Sequence, residues 1–295
     1  MKRPIVVLGL RRSGTTIFWR TFRRDARLLC FDEPFNPRLS SVGEVDPKGT
    51  WGEFLRLRQG SPEFERRRAP IEPAEELEDG LTAVQSSYLD WLLDQRDAVL
   101  CDLVRCSFKV EALHEVAPSA VLVHLHRSPE AFASSHLLPS GGAWRRRLLN
   151  RIWRRPSFWH RRRDYNRWRI EELIGRDSST AFGRRLARHG YDPKIVYAQP
   201  AVARLLAYWT IGFEATEHAG RKLYGDRFVS LRFEDFCRDP HAVVTRVYDA
   251  AGLAAPDALY DHLRPATGPF RPQDGRWDKF FARMGMEETR ELRDR

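Results

Sequence analysis

Residues 4–22 read PIVVLGLRRSGTTIFWRTF, and how this stretch is read decides the fold. Pro4 to Leu10 is a short, β-branched apolar run, the pattern of a strand buried on both faces. A polar turn, Arg11 to Thr16, breaks it, and Ile17, Phe18 and Phe22 then fall on one side of a helix. The same succession returns at VLVHLHR (121–127), followed by the helical stretch SPEAFASSHL (128–137). Farther on, Val202, Leu205, Leu206, Trp209 and Phe213 keep helical spacing, and Gly225 is a stop before the strand FVSLRF (228–233). HAVVTRVYDAAGL (241–253) reads as a last helix. Strands alternating with helices predict an α/β fold, a mostly parallel sheet flanked by helices. Two insertions interrupt the pattern, about 36–97 and 139–200. The part from 36 to 80, with IEPAEELEDG, reads as irregular, and 139–200 as helical and basic.

The 295 residues are 42% apolar, enough for a real core, and suit a single domain over 1–295. Mean hydropathy is −0.53. No stretch approaches the roughly 20 apolar residues of a spanning helix. The first apolar run is too short for a signal peptide and no small-residue cleavage site follows, so a cytoplasmic location is expected. Cys30, Cys101, Cys106 and Cys237 match no zinc or redox spacing and read as buried or bystander thiols. The histidines are scattered, so no metal site is expected.

Charge is unevenly spread. Fifty basic residues oppose forty acidic ones, a net +10, and only six of the fifty are lysines. Arg145 to Arg169 holds eleven arginines against one acid, Asp164, and so carries the whole excess. Trp144, Trp153, Trp159 and Trp168 lie in the same basic segment, 144–169.

The turn after the first strand has the spacing G-x-x-x-x-G from Gly9 to Gly14, followed by Thr15 and Thr16. The first turn of a helix has unpaired N–H groups and the positive end of the dipole, and so holds phosphate well. A Walker loop would carry a lysine where Thr15 stands, which weakens the reading as a magnesium-dependent kinase. Arg12 offers a different cation. A nucleic-acid-binding protein is the other alternative, on the basic segment and its tryptophans.

With these motifs in order, the chain resembles the sulfotransferases that use 3′-phosphoadenosine 5′-phosphosulfate (PAPS), closest to the tyrosylprotein and carbohydrate branches. LGLRRSGTTIFWRTF is similar to the family's 5′-phosphosulfate loop. LHRSPEAFASS (125–135) is similar to its 3′-phosphate motif, an arginine followed eight positions later by a serine, here Arg127 and Ser135. SLRFEDFCRDP (230–240) resembles a strand-loop that precedes a helix ending in Gly252-Leu253, with Phe233 where a tyrosine is usual. FRPQDGRWDKFF (270–281) resembles the segment over the nucleotide, with Arg271 kept and Pro272 in place of a lysine.

The resemblance implies a P-loop-like sulfotransferase domain whose two insertions lie on the acceptor side. It implies transfer of a sulfonate from PAPS to a hydroxyl of a saccharide, natural product, lipid or peptide, without a metal. Arg11, Arg12, Ser13, Gly14, Thr15, Thr16, Arg127, Ser135 and Arg271 would bind the nucleotide. Arg12 would also stabilise the leaving phosphate. Glu33, in FDEPFNP, lies where the related branches place a catalytic glutamate or an "EP" pair, and is read as the base; Asp32 is the rival carboxylate. Many carbohydrate-branch members have a lysine on the strand near Cys101 and Asp102, and here Lys109 or Arg105 would supply that charge. From its charge and its place after the second motif, segment 144–169 reads either as scaffold, an amphipathic helical pair whose tryptophans pack on the core, or as a border of the acceptor cleft that draws in an anionic or membrane-associated acceptor. His124, His126 and His136 are read as packed or lining residues, and Trp209 as core.

Overall fold

The computed structural model describes residues 3–43, 49–137, 170–175, 177–256 and 278–286. The opening apolar run becomes β1 (Ile5–Leu8), buried throughout, and leads through the turn into α1 (Thr15–Phe22). The buried face of α1 is Thr15, Phe18, Trp19 and Phe22. These sit at i, i+3, i+4 and i+7, one side of a helix. Ile17, expected on that side, is 48% exposed, because it points about 100° around the axis from Phe18.

The chain continues through β2 (Leu29–Asp32), α2 (Gly52–Gly60), α3 (Glu63–Arg67), α4 (Ala83–Leu93), β3 (Val99–Asp102), α5 (Val110–Val116) and β4 (Val121–His126). After β4 come α6 (Pro129–Leu137), α7 (Ile170–Ile174), α8 (Ala181–Arg188), α9 (Pro193–Ala198) and the long α10 (Ala201–Tyr224). β5 (Phe228–Arg232), α11 (Phe233–Arg238), α12 (Pro240–Ala251) and α13 (Asp278–Met284) complete the described elements. The five strands form one parallel sheet in the order β2-β3-β1-β4-β5.

Two compact units make up the chain, Met1–His126 with Ala215–Gly268, and Arg127–Glu214 with Pro269–Arg295. In the first unit the pleat sends alternate side chains into two cores. Val6, Leu8, Cys101 and Leu122 face one, with Phe54, Phe64, Tyr88, Leu92 and Leu113 from α2 to α5. Ile5, Val7, Val121 and Val123 face the other, under Phe18, Trp19 and Phe22 of α1 and Val243, Val244, Val247 and Tyr248 of α12. Truncating a buried ring of this kind costs about 3–5 kcal/mol.

The stretch expected to be irregular, 36–80, holds short helices among its described residues and is otherwise turns and loop. Pro37–Ser41 is a short 3-10 turn, and α2 and α3 carry Phe54 and Phe64 into the core. Each has one or two buried residues, too few to print a helical period on the sequence. α4 starts in a capping box, with Thr82 and Gln85 each bonding the other's backbone N–H.

The second unit is helical in its described part. Phe132 of α6, Phe182 and Leu186 of α8, Val196 of α9 and Tyr208 and Trp209 of α10 are buried in it. Phe182 meets Tyr197 and Tyr208 edge-on. Segment 144–169 lies outside the described residues. Among the described residues no helix is long and apolar enough to cross a membrane. Cys30, Cys101 and Cys106 are buried free thiols, and Cys237 is half-buried.

Candidate active site

In an open parallel sheet, ligands bind beyond the carboxyl ends of the strands, where the strand order reverses. Here β2 and β3 lie on one side of β1, and β4 and β5 on the other, so the turn after β1 stands at that reversal. Ser13 N–H donates to Leu10 O at 3.0 Å, and Gly14 takes φ +96° and ψ 9° to open α1. A Cβ on Gly14 would lie 2.2 Å from the Phe233 ring, so both the backbone and its neighbour demand glycine there.

Gly14, as N-cap, has no side chain to cap the helix, and the first turn contains no acid. The hydroxyls of Ser13, Thr15 and Thr16 and the exposed Arg12 complete the turn. The turn thus offers N–H and hydroxyl donors and an exposed positive charge, with no acid in the first helical turn. That set fits the phosphosulfate end of PAPS.

Arg12 and Glu33 share a backbone oddity. With φ of +75° and +52°, they are the non-glycine residues in the left-handed region among the described residues. Such conformations cost about 1–3 kcal/mol each and persist only where the surroundings impose them. Glu33 also precedes Pro34, which restricts it further. Its N–H donates to Asp102 O at 3.0 Å, tying it to the end of β3, and Asn36 N–H donates to Glu33 O at 2.9 Å. Asn36 Nδ2 donates to Glu33 Oε2 at 2.8 Å, which orients the carboxylate. The rival Asp32 is fully buried and accepts a hydrogen bond from Thr50 Oγ1 at 2.5 Å.

Arg11 and Arg105 both bond Oε1 of Glu76, which is 3% exposed. Burial pushes the Glu76 carboxyl above its ordinary value; Arg105 and Arg11 pull it back, and the charge of Glu33 adds to the push. Burial lowers the Arg105 pKa, opposed by Glu76 and Glu33. Four charged groups from four places in the sequence therefore interact beside the turn. Sequence reasoning named Arg11, Arg105 and Glu33 but missed Glu76, which no spacing within IEPAEELEDG distinguishes from its acidic neighbours.

Lys109 is placed differently from the expectation of a reaction-side cation. It is 1% exposed, and Nζ donates to Glu78 O at 2.8 Å and Gly80 O at 2.7 Å. Burial lowers its pKa. The ammonium clasps the turn before α4.

Arg127 and Ser135 belong to the second unit. Arg127 follows β4 directly, and its carbonyl accepts a hydrogen bond from Trp209 Nε1 at 2.8 Å. Ser135, on α6, donates through Oγ to Phe132 O at 2.7 Å. Arg271 and Trp277 lie outside the described residues.

His124 is more than packing. Its Nδ1 lies 2.6 Å from Glu217 Oε1, to which Ser230 Oγ also donates at 2.5 Å, while Arg221 donates to Oε2 at 2.5 Å. Burial pushes Glu217 up, but its bonds to His124, Ser230 and Arg221 overcome this and hold it at about 2. His126, one pleat farther along β4, is lowered to about 3 by burial and by His124. Among the described residues no group of three or more His, Cys, Asp or Glu is placed to hold a metal ion.

A family model described as "Sulfotransferase family" matches residues 4–176 and 173–257. No curated protein matches the chain. Among solved structures, the sulfotransferase domain of the Synechococcus PCC 7002 olefin synthase is 18% identical, with 91% of this chain and 79% of that chain covered and a TM-score of 0.44. Sulfotransferase STF9 from Mycobacterium avium is 17% identical, with coverage of 95% and 75% and a TM-score of 0.46. A sulfotransferase from Alicyclobacillus acidocaldarius is 15% identical, with coverage of 98% and 96% and a TM-score of 0.42. At these identities and scores the structures add nothing to the family match.

Proposed function

The chain belongs to the sulfotransferase family, and from that premise we propose that it moves a sulfonate from PAPS to a hydroxyl acceptor. What carries the reading is the acid-free turn at the sheet's reversal, with Arg12 and Glu33 both held in left-handed backbone. When bound, the donor supplies a sulfur whose bond to the phosphate oxygen breaks as the acceptor oxygen bonds to it, releasing 3′-phosphoadenosine 5′-phosphate (PAP). The first-turn amides, Ser13, Thr15 and Thr16 hold the phosphosulfate oxygens. Arg12 offsets the negative charge that grows on the departing phosphate. Glu33, oriented by Asn36, takes the proton from the acceptor hydroxyl. Of the two cations the sequence offers, Arg105 is the second cation in this proposal, because it shares Glu76 with Arg11 of the turn, whereas the Lys109 ammonium bonds the Glu78 and Gly80 carbonyls before α4. On the family resemblance, Arg127 and Ser135 read the 3′-phosphate, and Arg271 assists. The acceptor in this proposal is a hydroxyl of a saccharide, natural product, lipid or peptide, and an anionic or membrane-associated one if segment 144–169 borders its cleft.

Calorimetry with PAP and 5′-AMP tests the donor without any acceptor. PAP is expected to bind well and AMP far more weakly. A charged hydrogen bond contributes roughly 1.5–3 kcal/mol, so Arg127→Ala is expected to weaken PAP about tenfold or more while leaving AMP little changed. Equal affinity of the parent protein for the two nucleotides would sink the assignment.

A further inference from the structure

Trp209 reads as core in the sequence, and it is buried, with 2% of its surface exposed. Its one polar atom nevertheless has a task, since Nε1 donates to the Arg127 carbonyl at 2.8 Å. A buried indole N–H needs an acceptor of this kind. The indole is itself held in place. It stacks on Phe213, one helical turn on, with ring centroids 4.9 Å apart and planes 13° from parallel. Tyr208, its neighbour on α10, meets the ring of Phe132 on α6. All of these residues belong to the second unit. Within that unit α10 therefore supports both α6 and the residue that leads into it.

Arg127 stands between two regular elements. β4 ends at His126, which is in register with Arg232 of β5. α6 opens at Pro129, and Phe132 N–H donates to Ser128 O at 2.9 Å. Strand pairing thus holds the chain just before Arg127, and Trp209 holds the peptide just after it. A peptide unit is planar, so fixing its carbonyl fixes the rotation about the Cα–C bond of Arg127. With the chain held on both sides, the direction in which the Cα–Cβ bond leaves is set. A long side chain cannot be aimed from a loose Cα.

We propose that Trp209 is a positioning residue for recognition of the 3′-phosphate, its indole N–H fixing the peptide that follows Arg127 and so the point from which that arginine reaches. The inference rests on the reading of Arg127 as a 3′-phosphate ligand. Ser135, the other residue assigned to that phosphate, lies farther along α6, where its Oγ bonds Phe132 O. Phe132 is the residue that meets Tyr208, so the two assigned residues share α10 as their support. A tryptophan that only filled the core would affect stability and treat all nucleotides alike. A positioning role separates PAP from 5′-AMP, which lacks the 3′-phosphate.

Trp209→Phe keeps an aromatic ring beside Phe213 and removes the N–H. Calorimetry on this variant is expected to show PAP bound about three- to tenfold more weakly than by the parent, with 5′-AMP little changed. Combined with Arg127→Ala, Trp209→Phe is expected to cost PAP nothing beyond what Arg127→Ala costs alone, because both act through one side chain. Phe213→Leu removes the ring stacked on the indole and is expected to lower the preference for PAP in the same direction. It decides the matter if Trp209→Phe does not fold. An unchanged preference in Trp209→Phe, or in Phe213→Leu where that variant must stand alone, overturns the inference if Arg127→Ala abolishes the preference. So does an equal loss of affinity for the two nucleotides. A preference unchanged in Arg127→Ala as well defeats the reading of Arg127, and the inference falls with it.

Discussion

Glu33 and Arg12 concentrate what is unusual in the backbone. Each spends conformational energy that a glycine would not, and each is the residue the family resemblance assigns to chemistry. For Glu33 the surroundings that impose the conformation are visible: the β3 carbonyl that fixes its N–H, and the Asn36 amide that fixes its carboxylate. Glu33→Gln preserves the shape and an acceptor oxygen for Asn36 while removing the basic site. General-base assistance contributes about 10²–10⁴ in rate, so transfer of labelled sulfonate from PAPS is expected to fall at least about a hundredfold. PAP affinity by calorimetry should stay near the parent value. Turnover close to that of the parent would move the base to Asp32 or a histidine.

Besides its apolar packing through Ala219 and Tyr224, the helix α10 meets the sheet through a carboxylate, Glu217, which gathers His124 and Ser230 from the adjacent strands β4 and β5. Its pKa is held at about 2 against an ordinary 4.5. The unfolded chain therefore takes up a proton first as pH falls, and the stability Glu217 contributes is full above pH 4.5 and lost on the way down to about 2. The displacement corresponds to about 3 kcal/mol. His126, lowered to about 3 from 6.5, acts with the same sign and starts earlier, below pH 6.5. Urea unfolding at pH 7, 4.5 and 3 is expected to show Glu217→Gln weaker than the parent at pH 7, with the gap clearly narrower at pH 3. A gap of constant size at all three would show that the pairing does not carry the pH dependence. None of this network is legible locally, since its members lie on three elements spread from 124 to 230. β1, β4, β5 and α12 were legible because dense apolar runs announce them. β2 carries one β-branched or aromatic residue in four, Phe31, and goes unread; its burial is decided by the neighbours it acquires. The turn from Gly9 to Thr16 was legible because glycine and hydroxyl spacing is dictated by backbone geometry. Glu76 was not, because any of several nearby acids could have filled its role on paper.

At the scale of the whole chain, the net charge of +10 resides between Arg145 and Arg169. That segment lies outside the described residues, so its expected behaviour follows from charge alone. Attraction of this kind is screened beyond about 8 Å at physiological ionic strength, and therefore shows itself in salt-dependent kinetics. Neutralising Arg145, Arg146, Arg147, Arg161, Arg162 and Arg163 is expected to raise the acceptor KM and flatten its rise with salt, with PAP affinity little changed. Acceptor kinetics indifferent to both salt and these substitutions would mark the segment as scaffold and the acceptor as neutral. The same long excursion has a consequence in time. β4 ends at His126 and its partner β5 begins at Phe228. At about 5–20 residues per second, the roughly 100 intervening residues take about 5–20 s to synthesise. Throughout that interval the nascent sheet can hold four strands, with β4 as an open edge whose Val-Leu-Val start is a ready template for another chain. The ribosome-bound protein is therefore most exposed to mispairing well before its last strand exists, and slowing translation across 127–227 lengthens that exposure.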